Sequence, residues 1–133
     1  MRITKITIFN RQTVPDNVND LLLAFGHSLG LFSLRDKDKS CYRIFIVLVK
    51  ALKVGVELTS DELALQTGLT RGTVIHHLNN LMATGIVTNY KNKYFISVDN
   101  LEQLVEEMRS SVNKLFDNIG GLAKRIDRDI GLK

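Results

Sequence analysis

The 133-residue sequence has little cysteine and no long apolar run. Its single cysteine, Cys41, cannot form an intrachain disulfide, and this fits a reducing compartment, so we expect the chain in the cytoplasm. No apolar stretch reaches the roughly 18 residues that indicate a transmembrane helix. Residues 1–10 also lack the apolar core of a signal peptide, so we expect neither a membrane span nor export.

Common catalytic motifs are missing as well. The sequence has no glycine-rich phosphate loop, no Gly-x-Ser-x-Gly elbow and no His-Glu-x-x-His metal motif. Glu102, Glu106 and Glu107 have the spacing of a solvated helix face. The sequence therefore predicts a protein that is not an enzyme and that uses no cofactor.

Length and charge are consistent with a small globular binding protein. A chain of this length fits one domain with a modest core, and its 44% apolar residues are ordinary for a globular fold. The formal net charge of +4 favours a polyanionic partner. Basic proteins are common, so the charge alone decides little.

Residues 58–97 contain the most informative pattern. Thr59 followed by Glu62 forms a capping box, which predicts the start of a short helix over 61–67. Gly68 marks a sharp turn with positive φ, and Thr70 is a favourable N-cap for a second helix. Gly85 is expected to end that second helix.

The second helix has one buried and one exposed side. Val74, Leu78 and Leu81 recur at i, i+4 and i+7 and predict the buried stripe. The other side carries no acidic residue, and its side chains can contact base edges or phosphates. The residues of this segment that we predict to contact DNA are Thr70, Arg71, Gly72, Thr73, His76, Asn79 and Asn80.

A basic hairpin follows, with strands over 86–90 and 93–98. Its tip holds Lys91, Asn92 and Lys93, which can reach phosphates or the minor groove. The alternative is an ordinary hairpin whose lysines discourage edge-to-edge aggregation. The preceding helix favours contact with DNA.

These motifs together resemble a known family. The segments T-S-D-E-L-A, T-G-L-T-R-G-T-V, H-L-N-N-L, G-I-V and Y-F-I-S resemble the winged helix-turn-helix of small prokaryotic repressors of the ArsR-like and MarR-like families. The resemblance is close over residues 58–97 and covers the flanking helices only in their order. It implies a transcriptional regulator that binds double-stranded DNA.

The resemblance also raises the question of a metal or small-molecule effector. Thiol-based metal sites of ArsR-like proteins need paired cysteines on the helix matching 61–67, and this chain has none there. His76 and His77 are adjacent and point to different sides, so we predict no metal site. We expect His77 and His27 to be packed rather than functional.

A MarR-like regulator would hold a small ligand between its dimer helices and the winged domain. Phe25, Phe32, Tyr42 and Phe45 can line such a pocket or form ordinary core. Aromatic residues at helical spacing favour the core. The sequence identifies no effector.

The sequence of the N-terminal part predicts a strand, a turn and a helix. Ile3, Ile6 and Ile8 alternate as in a short strand, and Pro15 indicates a turn. A helix is expected over 17–32, capped by Asp16 or Asn17; its apolar residues are Leu21, Leu22, Phe25, Leu29 and Phe32. Gly26 and Gly30 either allow close packing of this helix or simply weaken it.

A central helix is expected over 39–53 and ends at Gly55. It is apolar nearly all round between Ile44 and Val49, which places it at the middle of the domain. The side chains that we expect to point inward are Tyr42, Phe45, Ile46, Val49 and Leu52. A strand over 56–58 is expected to pair with the wing.

The sequence pattern of residues 99–133 predicts a long helix that mediates dimerisation. Asp99 followed by Glu102 indicates its start, and its apolar stripe is longer than a small winged domain can cover. Gly120-Gly121 is compatible with a kink, a break or a close approach. The stripe that we predict to form the homodimer interface comprises Leu101, Leu104, Met108, Val112, Leu115, Ile119, Leu122 and Ile126, with Ile130 beyond it. The alternative is a monomer whose helix folds back on its own core.

The sequence therefore predicts a mainly α fold with a small β-wing. One winged helix-turn-helix domain is expected, with a strand and helix over 1–35, the winged core over 39–98 and a dimerisation helix over 99–133. A homodimer would place two recognition helices in successive major grooves about 34 Å apart and repress transcription from a specific site. The alternatives are an assembly module of winged-helix type and a sequence-tolerant, chromatin-like coating protein.

Overall fold

The computed structural model describes residues 17–32 and 39–133. The strand predicted around Ile3, Ile6 and Ile8 and the turn at Pro15 lie outside these residues. The described elements are, in chain order, α1 (Val18–Ser28), α2 (Ser40–Val54), β1 (Leu58–Thr59), α3 (Ser60–Thr67), α4 (Arg71–Ala83), β2 (Thr88–Tyr90), β3 (Lys93–Phe95) and α5 (Leu101–Ile130). This order confirms the predicted fold class, mainly helical with a small three-stranded antiparallel sheet.

Helix α2 lies at the centre of the core. It packs against α3 and α4, and its Ile44, Phe45 and Leu48 are completely buried, as its nearly all-round apolar sequence predicted. Of the side chains predicted to point inward, Phe45 is completely buried, and Ile46, Val49 and Leu52 are half-buried and pack against the core. Tyr42 is half-buried, and the fully buried Ile44 and Leu48 were not in the predicted set. A helix that is apolar on every side gives no periodic signal from which the deepest face can be chosen.

Helices α3 and α4 begin at the predicted caps. The Glu62 backbone N–H donates to Thr59 Oγ1 at 3.1 Å, and the Thr59 N–H donates to the Glu62 carboxylate at 2.8 Å. Hydrogen bonds from the backbone N–H and the side chain of Thr59 to the Glu62 carboxylate, and the nearby charge of Lys93, lower the pKa of Glu62. Gly68 ends α3 in the left-handed region at φ +73°, and Thr70 caps α4 by accepting from the Thr73 N–H.

The three strands form a sheet in the order β1-β3-β2. Leu58 lies opposite Tyr94, so the segment before α3 does pair with the hairpin. The strands of the hairpin are shorter than predicted. The backbone N–H groups of Ile86 and Val87 donate to the Leu81 carbonyl instead of to a strand, because they complete the C-terminal end of α4.

Helix α1 begins at Asn17, whose side chain accepts from the Asp20 N–H at 2.8 Å. It ends at Ser28, four residues before the predicted end. The Leu31 N–H donates to the Gly26 carbonyl and the Gly30 N–H to the His27 carbonyl, with Gly30 at φ +76°. This is a Schellman motif, which stops the helix before Phe32.

Gly26 allows a close approach between α1 and the start of α2. A Cβ atom there would lie 2.7 Å from the Tyr42 ring, so this glycine allows the close packing that was one of its two interpretations. Tyr42 stacks on Phe32 at 4.9 Å, and Phe25 stacks on Phe45 at 6.0 Å. These four aromatic rings therefore pack on one another in pairs.

Helix α5 is continuous through Gly120 and Gly121 and is 30 residues long, or about 45 Å at 1.5 Å per residue. Its cap is Asn100, which accepts from the Gln103 N–H at 2.8 Å. The pair predicted from Asp99 and Glu102 was therefore displaced by one residue. Within the described part of the chain, no helix is long and apolar enough to cross a membrane.

Only the beginning of α5 packs on the winged core. Leu104 is 2% exposed, and Leu101 and Met108 are half-buried beside it. Leu104 therefore belongs to the core of the winged domain and not to the free stripe in which it was predicted. Beyond Met108, every residue of α5 except Gly120 is exposed. The exposed large apolar residues there are Val112, Leu115, Phe116, Ile119, Leu122, Ile126 and Ile130, at 45–66% exposure.

The cap of α3 supplies a test of the local folding signals. Replacing Thr59→Ala removes the side-chain acceptor for the Glu62 N–H and should lower the free energy of unfolding by about 1 kcal/mol. Thr59→Ser keeps the acceptor and is the matched control. Urea unfolding followed by far-ultraviolet circular dichroism measures both variants. Equal midpoints for Thr59→Ala and the wild type would contradict the role of this cap.

Candidate nucleic-acid interface

Helix α4 presents one buried side and one polar, exposed side. Val74 and Leu78 are completely buried and Leu81 is 1% exposed, as their spacing predicted. Of the residues predicted to contact DNA, Thr70, Arg71, Gly72, His76, Asn79 and Asn80 are exposed, and Thr73 is half-buried. No residue of α4 is acidic. The helix thus offers amide, imidazole and guanidinium groups to a partner.

Arg71, at the first position of α4, pairs with an acid that the sequence did not reveal. Its Nε lies 3.5 Å from Oδ1 of Asp61 in the first turn of α3, and both side chains are largely exposed. An exposed ion pair of this kind contributes at most about 1 kcal/mol. Asp61 therefore orients the Arg71 guanidinium, and the ion pair is weak enough for Arg71 to exchange it for a contact with a ligand. The helix-turn-helix geometry, which brings the first turns of α3 and α4 together, is the signal that could have identified Asp61.

The two predicted threonines form part of the helix cap. Thr70 Oγ1 accepts from the Thr73 N–H at 3.2 Å and donates to Thr73 Oγ1 at 2.9 Å. Their hydroxyls are thus fixed at the N-terminal end of α4. This end carries free backbone N–H groups and partial positive charge, both of which favour an anion such as phosphate.

One flank of α4 borders a cleft of about 460 Å³. From α4 the described walls include Thr73, His76, His77 and Asn80. Leu29, Gly30, Leu31, Ser40 and Cys41, at the end of α1 and the start of α2, line the other side. His76 and Asn80 therefore lie beside a second surface, which a helical projection of α4 alone does not show.

The two adjacent histidines differ in environment. His76 is exposed and His77 is half-buried, with their ring centroids 5.3 Å apart in an edge arrangement. The lower exposure of His77 agrees with the expectation that His77 is packed, whereas His76 remains accessible. Among residues 17–32 and 39–133, no group of three or more His, Cys, Asp or Glu side chains is placed to hold a metal ion.

The wing places its three predicted residues at an exposed tip. Lys91 and Asn92 both adopt left-handed conformations, at φ +53° and +65°, which makes the two-residue loop typical of a type I′ hairpin. The Lys91 ammonium lies 5.3 Å from the centroid of the Tyr90 ring. Lys93 sits across from Thr59 and near Glu62. Lys91 therefore has the less compensated charge of the two lysines.

Helices α2, α3 and α4 followed by the wing define a winged helix-turn-helix. The family model described as the bacterial regulatory protein, arsR family, matches residues 47–89, from the middle of α2 into β2. No curated protein and no solved structure matches the chain. Residues 47–89 thus resemble the winged helix-turn-helix of ArsR-family regulators, and this supports a DNA-binding transcriptional regulator.

Arg71 supplies the sharpest test of this interface. If its guanidinium contacts a guanine edge, Arg71→Ala should weaken binding to a selected DNA site by about 1–3 kcal/mol and relax the base preference at one position. Arg71→Lys keeps the charge but loses the bidentate geometry, so it should behave like Arg71→Ala at a base and like the wild type at a phosphate. Fluorescence anisotropy titrations measure the affinities. Unchanged affinity and base preference in Arg71→Ala would show that α4 is not the recognition helix.

Lys91 tests the wing separately. Lys91→Ala should weaken binding to all DNA sequences similarly, because an ammonium contacts phosphate as a point charge. It should also lower the slope of log K against log salt by about one. Lys124→Ala, which removes the same charge from an exposed position of α5, is the control. The wing contact is excluded if both variants keep the wild-type slope.

Proposed function

We propose that the protein is a homodimeric repressor that recognises a two-part site in double-stranded DNA. Helix α4 enters the major groove, and the wing contacts the backbone or the minor groove. Occlusion of a promoter is the simplest mode of repression for a DNA-binding dimer. The observations that carry the proposal are the acid-free exposed side of α4 and the exposed, cationic tip of the wing.

The chemistry of the α4 surface supports sequence recognition. Arg71 can donate two parallel hydrogen bonds to guanine, and Asn79 or Asn80 can both donate to and accept from adenine. Gly72 adds no side chain, and the space that a Cβ atom would occupy there is open to 4 Å. DNA backbone can therefore approach the first turn of α4 closely. Thr70 and Thr73 at the same end suit a phosphate.

The second half of the proposal is the dimer. One recognition helix alone contacts too few base pairs for tight, specific binding, whereas two copies in successive grooves double the contacts. Beyond Met108, α5 exposes an apolar stripe that does not fold back on its own subunit. A stripe of this size favours association. Helix α1, with Val18 and Leu21 exposed, supplies further apolar surface.

A DNA-binding regulator acts where DNA is, and we place this protein in the cytoplasm on that ground. The single cysteine, Cys41, is compatible with this reducing compartment.

Selection of bound sequences from a random DNA pool tests the function. We expect an enriched motif with two halves whose centres lie about 10–11 base pairs, or a multiple of this, apart. Binding without enrichment but with a steep salt dependence would instead indicate a sequence-tolerant coating protein. Absence of DNA binding at moderate salt would indicate an assembly module.

The dimer has its own test. Leu122, 64% exposed, lies in the stripe, and Leu122→Glu should dissociate the dimer and weaken binding to a two-part site by at least about tenfold, because each half-site is then bound separately. Ser110→Glu makes the same charge change on the opposite side of α5 and is the control. Light scattering gives the mass and anisotropy gives the affinity. A Leu122→Glu variant that keeps the wild-type mass would place the dimer interface elsewhere.

A further inference from the structure

We propose that Asp61 is a specificity-determining residue, which directs Arg71 towards a neutral base edge and lowers its attraction to a phosphate. The inference rests on the recognition of DNA by α4 that is proposed above. It adds a residue outside the recognition helix, and a physical reason why this surface favours a specific site over other DNA.

Asp61 is the acid that lies against the surface predicted to contact DNA. Among the ion pairs of residues 17–32 and 39–133, the pair between Arg71 and Asp61 alone involves a residue of that surface. Asp61 Oδ1 lies 3.5 Å from Arg71 Nε, and the Asp61 side chain is 76% exposed. A group that binds the Arg71 guanidinium from solvent therefore also lies close to the Asp61 carboxylate.

The cap of α3 does not use the Asp61 carboxylate. The adjacent acid, Glu62, closes the capping box with Thr59 through hydrogen bonds of 2.8 and 3.1 Å. Asp61 takes no part in these two bonds, although it lies in the same first turn of α3. Replacing Asp61 by asparagine therefore keeps the capping box and mainly changes the charge beside Arg71.

The ion pair leaves one edge of the guanidinium available. A guanidinium donates from Nε and from its two terminal nitrogens in a planar fork. Asp61 lies beside Nε, so the two terminal nitrogens remain to donate to O6 and N7 of guanine as a bidentate pair. The carboxylate thereby favours one orientation of the Arg71 side chain, which is 71% exposed.

The Asp61 charge also distinguishes a base from a phosphate. A guanine edge is neutral, so Arg71 can bind it and keep its ion pair. A phosphate is an anion, so its contact with Arg71 either breaks the ion pair or brings two negative charges together, and both oppose the contact.

Phosphate is the competing partner for Arg71 at this place in the fold. Thr70 and Thr73 hold their hydroxyls at the N-terminal end of α4, where a helix favours a phosphate. Without an acid nearby, Arg71 would add its charge to phosphate contacts on DNA of any sequence. Asp61 therefore weakens binding to other DNA more than binding to the specific site, which raises specificity.

Asp61→Asn in the full chain tests the inference. Fluorescence anisotropy gives the affinity for a duplex that contains the selected site and for a scrambled duplex of the same length. We expect the variant to bind the scrambled duplex about threefold more tightly than the wild type, and to lower the ratio of the two affinities by a similar factor. The effect is modest because both charges are exposed. Since Arg71 gains a phosphate contact, the slope of log K against log salt on the scrambled duplex should become steeper by about one.

Three further variants separate the role of Asp61 from a general effect of charge. Asp117→Asn makes the same charge change at an exposed position of α5 and should keep the wild-type ratio. Asp61→Glu keeps the charge and should retain most of the ratio. Arg71→Ala removes the group through which Asp61 acts, so adding Asp61→Asn to it should not lower the ratio further. Thermal unfolding followed by circular dichroism checks that each variant is folded.

The outcomes separate this inference from the proposed function. A wild-type protein that shows no preference for a DNA sequence, or no binding, overturns both. If the wild type has a preference and Asp61→Asn keeps the same ratio, the role of Asp61 is overturned and sequence recognition by α4 stands. Equally weaker binding of Asp61→Asn to both duplexes would show that the carboxylate only supports local structure, and it also overturns the role.

Discussion

Burial of one stripe of α4 against α2 is the constraint on which the rest of this protein depends. Val74, Leu78 and Leu81 are removed from water beside Ile44 and Leu48. Burial of each such side chain stabilises the fold by about 1.5–3 kcal/mol, whereas the exposed Arg71–Asp61 pair contributes at most about 1 kcal/mol. Core packing therefore determines which side of α4 is buried, and as a consequence the polar side is exposed to solvent.

The turns at the two ends of α4 determine where its exposed surface lies relative to α3 and the wing. Gly68 in the left-handed region and the Thr70 cap set where α3 ends and α4 begins. The same junction brings Asp61 to Arg71. At the other end of α4, the Leu81 carbonyl receives the Ile86 and Val87 N–H groups, so the wing leaves the helix along a fixed path. The recognition surface is thus a product of backbone hydrogen bonds as much as of side-chain identity.

Local signals were predictable from the sequence, whereas contacts between distant segments were not, apart from the pairing of β1 with the wing. The capping box at Thr59, the turn at Gly68 and the α4 stripe each depend on residues within one or two turns of each other. The Asp61–Arg71 pair and the cleft beside His76 depend on how α3 and α1 dock, which no periodicity encodes. Leu104 shows the same limit, because its spacing matches the α5 stripe while its position at the start of the helix places it in the winged core.

This division of α5 accounts for its unusual length. Its first two turns complete the core of one subunit through Leu101, Leu104 and Met108. From Val112 onward, the apolar side chains of the helix are exposed to water. Such a surface is costly unless it is covered. Because the first turns anchor the helix rigidly to the winged domain, association along its free part would fix the distance between two recognition helices. The spacing of a two-part DNA site would then be determined by α5 rather than by α4 itself.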